Sequence, residues 1–245
     1  MTSKKKQSDS SASLSTREVL ILTAEKLFAE KGIEGVSLRT IGLVAGQGNS
    51  VAVQYHFKNR AGLISAILSW RWVRIEEHRK QLLIALLEED RKIELADLIR
   101  TLTFPLLDVD CKGDRNHFVR FLMHYLTSSD RWSNETSYGV RAWFTPFHNQ
   151  PNNATIELLD LIAKELPHIP QPYIGRRLTH SLRMMMGTVV YWENAATIRK
   201  NVAPLEVLIE DQISMIVAAM SAPVPQSSID RLPKVIEALK SGQAP

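Results

Sequence analysis

The chain of 245 residues contains very little cysteine and no long apolar run. Its one cysteine, Cys111, cannot form an internal disulfide or a cysteine-based zinc site, which favours a reducing, cytoplasmic location. The longest apolar runs, such as Leu82–Leu87, are far shorter than the roughly 20 residues that span a bilayer. Near the N-terminus polar serines follow the lysines, so we expect neither a secretory signal nor a membrane partner.

Acidic residues are missing from one segment, because none occurs between Glu34 and Glu76. Residues 1–62 hold nine basic and five acidic residues, so the net charge of +4 resides in this part of the chain. The basic residues of the acid-free segment are Arg39, Lys58, Arg60, Arg71 and Arg74. A surface without carboxylates is what a polyanionic partner requires; the alternative is a chance gap.

The signatures of common catalytic sites are also missing. We find no zinc motif of paired histidines or cysteines, no nucleophile elbow and no glycine-rich phosphate loop after a strand. We therefore predict that the protein is not an enzyme and uses neither a metal nor a cofactor. His117 and His124 are seven residues apart and would share a helix face, but solvated or core histidines are the preferred interpretation.

Helical periodicity dominates the chain after a serine- and lysine-rich stretch, residues 1–14, which we expect to be a disordered basic arm. Ser15 and Glu18 fit a capping box at the start of the first helix, and Gly32 fits a left-handed cap at its end. Gly46 and Gly48 end a short second helix. The predicted N-caps of the next helices are Ser37, Asn49 or Ser50, and Asn59.

The remaining periodicity indicates an all-α protein. The predicted helices are residues 62–90, 93–107, 115–129, 135–147, 153–166, 172–199 and 204–220, with a break at Pro105. We divide the chain into the arm, a three-helix domain at 15–62, a larger helical domain at 63–221 and a flexible tail at 222–245.

Three short helices with a glycine turn between the second and third are typical of a helix-turn-helix, whose last helix enters the DNA major groove. Val53 and Phe57 would point inward, leaving Ser50, Gln54 and Tyr55 outside. Glutamine pairs with adenine and serine contacts several base edges, while an alanine such as that at position 52 meets a thymine methyl group. The predicted phosphate contacts are Arg39, Tyr55, His56, Lys58 and Arg60.

Residues 15–67 resemble the N-terminal domain of TetR/AcrR-type transcriptional regulators. The resemblance rests on A-x-x-L-F-A-E-K-G from Ala24, S-L-R-x-I-x-x-x-A-G from Ser37 and Y-H-F-K-N-R-x-x-L from Tyr55. Asn49 and Ser50 are also predicted to contact DNA. The turn after Gly46 is one residue longer than the usual A-G-V-S, which affects by one position which of Asn49, Ser50 and Ala52 face the bases. The resemblance implies a homodimer that binds a palindromic operator in double-stranded DNA, and it supports the DNA contacts named above.

The resemblance also implies a divergent C-terminal domain that binds a small inducer and forms a four-helix dimer interface. The residues predicted for the interface are Leu178, Leu182, Val189, Leu208, Ile213 and Val217. The residues predicted for a pocket, with ordinary core as the alternative, are Met123, Trp143, Phe144, Phe147, His148 and Met185. We predict a homodimeric repressor released by a small apolar or amphipathic inducer. The alternatives are a regulator controlled by a protein partner and a helical enzyme with a borrowed N-terminal domain.

Overall fold

The computed structural model describes residues 14–48, 51–107, 116–127, 153–199, 201–231 and 233. Every regular element in these ranges is a helix, which confirms the all-α prediction. The main helices are α1 (Thr16–Lys31), α2 (Leu38–Val44), α3 (Val51–Phe57), α4 (Arg60–Leu87), α5 (Leu95–Leu107), α6 (His117–Thr127), α7 (Ala154–Glu165), α8 (Gln171–Ile198) and α9 (Leu205–Ser221), and residues 226–231 are also helical. None of them combines the length and apolarity needed to cross a membrane. The helix predicted at 135–147 lies outside the described residues.

Side-chain caps begin α1, α2 and α4, as predicted. At α1 the Glu18 amide donates to Ser15 Oγ (3.3 Å), and the Ser15 amide donates to Glu18 Oε2 (2.8 Å). The Thr40 amide donates to Ser37 Oγ (3.0 Å) at α2, and the Gly62 amide donates to Asn59 Oδ1 (2.9 Å) at α4. Each cap satisfies an amide that the first helical turn leaves without a partner.

Two predicted helix ends differ in the structure. Gly32 has the expected positive φ of 76°, but its ψ of 160° is not that of a left-handed helical residue. Its amide still donates to the Phe28 carbonyl at 3.0 Å, so α1 ends there. Pro105 was predicted to break its helix but lies within α5, which continues to Leu107. Proline removes one amide donor and crowds the carbonyl four residues before it, and α5 continues for two residues beyond Pro105 despite this cost.

The buried side chains form two apolar clusters, and α4, α5 and α8 contribute residues to both. The first core joins α1, α2 and α3 to the N-terminal half of α4, to α6 and to Leu182, Met186 and Val189 of α8. The second core joins the C-terminal half of α4 to α5, α7, α8 and α9. The predicted domain boundary after residue 62 falls inside α4, and the first core contains residues from both sides of it.

Helix α1 is held in place by α4 and α6. The rings of Phe28 and Phe121 stack with centroids 6.1 Å apart, and both side chains are fully buried. On α6, His117 Nε2 lies 4.0 Å from a carboxylate oxygen of Glu30. Burial lowers the pKa of His117 although Glu30 opposes this shift, so burial disfavours the charged imidazole that an ion pair with Glu30 requires.

The first residues of the predicted flexible tail pack against the helices. Val224 contacts the second core, and the hydroxyl of Tyr173 donates to the Ser228 carbonyl at 2.9 Å. Val224 and Ser228 therefore lie against the helices, in the stretch for which the sequence predicts a flexible tail.

Candidate nucleic-acid interface

Helices α2 and α3 pack against each other and are joined by a glycine turn. After α2, the Gln47 amide donates to the Gly42 carbonyl (2.9 Å), and the Gly46 amide donates to the Leu43 carbonyl (3.1 Å). This pair of bonds is a Schellman motif, which places a left-handed residue at Gly46. Gly46 has a φ of 74° and Gly48 a φ of 71°, which side chains with a Cβ rarely adopt. The glycines therefore determine how the chain turns from α2 into α3.

One face of α3 is buried and the opposite face is exposed. Val53 and Phe57, four residues apart, belong to the first core and hold the helix against its neighbours. Val51, Gln54 and Tyr55 lie on the exposed face at the spacing of neighbours on a helix surface. The expected outward direction of Gln54 and Tyr55 is thus observed, with Tyr55 82% exposed.

The exit from α3 places a lysine where glycine is the usual residue. Lys58 has a φ of 64°, and its amide donates to the Gln54 carbonyl at 2.8 Å. A left-handed conformation costs a residue with a Cβ roughly 1–2 kcal/mol. The Lys58 side chain is exposed beside the outer face of α3. A lysine therefore occupies this position although its left-handed backbone conformation is unfavourable.

The structure places the predicted phosphate-contacting residues in different environments. Arg39 and Tyr55 are exposed and His56 is half-buried. Arg60, however, donates to Glu34 Oε2 at 2.6 Å and to the Val36 carbonyl at 3.1 Å. Its guanidinium group ties α4 to the loop before α2, so the predicted phosphate role competes with these bonds. Asn49 and Ser50 lie outside the described residues.

The charge argument from the acid-free segment is wrong for Arg71. Its guanidinium group is buried and forms a bidentate ion pair with Glu25 of α1, with N–O distances of 2.7 and 2.6 Å. Arg74 lies over the Trp70 ring, with 4.5 Å between the guanidinium carbon and the ring centroid. A count of acids along the sequence missed Glu25, which is 46 residues away from Arg71.

Sequence analysis also missed that α4 carries two buried arginines in its apolar stripe. The stripe repeats every four residues and consists of Leu63, Ile67, Arg71, Ile75, Arg79 and Leu83. Arg79 is fully buried, donates to Glu76, to Thr155 Oγ1 (2.6 Å) and to the Leu102 carbonyl (2.8 Å), and burial lowers its pKa. A charged residue in the register of an apolar stripe was the available signal, because a buried charge requires a partner.

The predicted pocket cannot be assembled from the described residues. Met185 is buried in the second core, and Met123 is half-buried against the first core. The other predicted residues lie outside the described ranges, namely Trp143, Phe144, Phe147 and His148. Among the described residues, no group of three or more histidine, cysteine or acidic side chains is arranged to hold a metal ion.

Most of the predicted dimer residues face the interior of their own chain. Leu178, Leu182, Val189 and Ile213 are buried in the two cores, so their side chains are not available to a second copy. Val217 is half-buried against the second core, and Leu208 is half-buried. Apolar periodicity identified a buried face of each helix, but α8 has another apolar face on its outer side.

The outer apolar face of α8 is a stripe of side chains seven residues apart: Met184, Tyr191 and Ile198. Met215 of α9 is also exposed. An open groove of about 400 Å³ runs between the two helices and is lined in part by Tyr191 and Leu208. Gly187 also lines it, and a Cβ added there would meet no atom within 4 Å.

Comparisons with known proteins find similar solved structures, among them the following two. No family model and no curated protein matches the sequence. A protein of Mesorhizobium loti MAFF303099, assigned to the TetR family of transcriptional regulators, is 17% identical to this chain, with a TM-score of 0.47. The match covers 84% of this chain and 94% of that protein's chain. A TetR-family regulator of Streptomyces coelicolor A3 is also 17% identical, with a TM-score of 0.39. That match covers 84% of this chain and 95% of the regulator's chain.

Proposed function

We propose that the protein is a sequence-specific DNA-binding regulator of transcription whose third helix enters the major groove. The observation that carries this proposal is the division of α3 into a buried face, Val53 and Phe57, and an exposed face with Gln54 and Tyr55. A seven-residue helix anchored in this way is about 10 Å long and fits a major groove about 12 Å wide. Arg39 in the first turn of α2 and Lys58 at the exit of α3 are exposed, and we assign both to phosphate contacts.

The Lys58→Gly variant separates a phosphate contact from a structural role. Glycine relieves the left-handed strain at a small entropic cost, so the free energy of unfolding should stay equal or rise by up to about 1 kcal/mol. Affinity for every DNA sequence should fall, by about tenfold at 0.1 M salt. The slope of log affinity against log salt should decrease in magnitude by about 1.8, because a dimer loses two phosphate contacts. Fluorescence anisotropy with duplex DNA at several salt concentrations measures both quantities.

Two variants serve as controls for this experiment. Lys80→Ala removes an exposed lysine from α4, away from the turn, and should leave affinity and salt slope unchanged. Gln54→Ala should relax sequence preference at one position of each half-site and keep the salt slope. Unchanged DNA affinity in Lys58→Gly would refute the phosphate contact, and a uniform loss in Gln54→Ala would refute base recognition.

We further propose that the regulator is a homodimer that pairs through the outer faces of α8 and α9. The exposed stripe of Met184, Tyr191 and Ile198 supplies an apolar surface at a seven-residue spacing typical of paired helices. Gly187 lies between Met184 and Tyr191 and leaves room for the backbone of a partner helix. A two-fold dimer would set two recognition helices about 34–36 Å apart, which matches a palindromic operator.

Tyr191→Arg tests this dimer, because two-fold symmetry brings two new guanidinium groups into the same apolar interface. We expect the dimer dissociation constant to rise roughly a hundredfold, about 3 kcal/mol. Sedimentation velocity over a range of protein concentrations measures the change. Val73→Arg is the matched control, since Val73 is a similarly exposed apolar residue on α4. A wild-type monomer, or an unchanged dimer in Tyr191→Arg, would contradict this interface.

We propose repression released by a small inducer as the mode of regulation. What supports it is the attachment of α1 to α6, where Phe28 stacks on Phe121, because any ligand that moves α6 must also move the helix-turn-helix. Binding of inducer and of DNA would then be reciprocally coupled, typically by about 1–3 kcal/mol. Control by a protein partner would use the same coupling, and a small molecule that co-purifies with the protein would distinguish the inducer.

A further inference from the structure

Three large apolar side chains are exposed on either side of the glycine turn. Leu43 and Val44 end α2 and are 52% and 61% exposed, and Val51 begins α3 and is 63% exposed. Isolated exposed apolar residues are ordinary, but these three flank one turn of the surface that is proposed to meet DNA. Ala52, for which the sequence predicted contact with a thymine methyl group, is instead half-buried against the first core.

Val51 lies at the N-terminal end of α3. In a helix-turn-helix, base contacts come from the N-terminal part of the recognition helix, and Val51 is its first residue. It lies three residues before Gln54 and four before Tyr55, so all three share the exposed face. Along the helix axis Gln54 lies about 4.5 Å beyond Val51. Because neighbouring base pairs are about 3.4 Å apart, the two side chains would reach base pairs that are one or two steps apart.

We propose that Val51 recognises the methyl group of a thymine, one or two base pairs from the base pair that Gln54 contacts. This inference rests on the proposed DNA-binding function and adds a specificity determinant to it. Valine has no hydrogen-bonding group, so the C5-methyl of thymine is the one apolar feature of the major groove that it recognises. The absence of acidic residues between Glu34 and Glu76 is consistent with the approach of a phosphate backbone to this surface.

The test replaces thymine by deoxyuridine, which lacks only this methyl group. The full chain first selects its preferred duplex from a random pool, and each thymine of one half-site is then replaced in turn. Wild-type protein should bind about fourfold more weakly when one particular thymine is replaced, as expected for one methyl group (about 0.8 kcal/mol). Val51→Ala should bind the thymine and deoxyuridine duplexes within about twofold of each other, as measured by fluorescence anisotropy.

Val73→Ala is the matched control, because it truncates an exposed valine outside the helix-turn-helix and should keep the fourfold difference. The thermal midpoint of Val51→Ala should equal that of wild type, since the side chain is mostly exposed. The proposal is overturned if no deoxyuridine weakens wild-type binding, or if the loss persists in Val51→Ala. A pool that yields no enriched sequence would instead overturn the proposed function itself.

Discussion

Glu25→Ala is expected to lower the free energy of unfolding by about 3–5 kcal/mol, because it leaves the Arg71 guanidinium group buried without its counter-ion. The side chains of Glu25 and Arg71 are 2% and 6% exposed, and the two hydrogen bonds between them have N–O distances of 2.7 and 2.6 Å. The Trp70 and Phe118 rings lie 4.8 and 5.8 Å from the guanidinium carbon, so little water can replace the carboxylate. Urea denaturation followed by circular dichroism measures the loss.

Two further variants separate the burial of a charge from the loss of packing. The double variant Glu25→Leu with Arg71→Met replaces the pair by apolar side chains and should recover most of the stability. Glu34→Ala breaks the exposed pair with Arg60, in which Glu34 is 72% exposed, and should cost less than about 1 kcal/mol. A loss below 1 kcal/mol in Glu25→Ala would show that Arg71 finds water or another partner.

Local features of this fold were predictable because their partners are close in sequence. The capping box at Ser15 and the caps at Ser37 and Asn59 join residues three apart, and each is present. The same holds for the inward direction of Val53 and Phe57, which follows from helical periodicity. These features specify where α1, α2 and α4 begin and which side of α3 is exposed.

Long-range pairs were not predictable from one sequence. Arg71 and Glu25 are 46 residues apart, and Arg79 and Thr155 are 76 residues apart, so no local spacing links them. Helix α8 illustrates a second reason. Its buried residues, such as Leu182 and Met185, and its exposed residues, such as Met184 and Tyr191, are both apolar, so periodicity could not assign one face to the core. The predicted interface therefore included core residues.

Phe121→Ala is expected to destabilise the protein by about 3–5 kcal/mol and to loosen α1 in particular. Phe121 is fully buried and lies within 6.2 Å, between ring centroids, of Phe28, Phe118 and Tyr125. Removing the ring eliminates buried apolar area and leaves a cavity at the contact between α6 and α1. Urea denaturation gives the global loss, and hydrogen exchange of the α1 amides reports whether the helix opens separately.

The position of this ring gives the variant a functional consequence. Helix α1 packs with α2 and α3 in the first core, in which Phe28 and Phe57 are both buried. If the proposed inducer acts on α1 through α6 and Phe121, the truncated variant should keep the proposed affinity for DNA but lose its response to that inducer. His124→Ala is the control, because His124 is exposed on the same helix and should change stability by less than about 0.5 kcal/mol. Protection of α1 that equals wild type in Phe121→Ala would show that α1 is positioned without this ring, through other contacts such as that of Glu25 with Arg71.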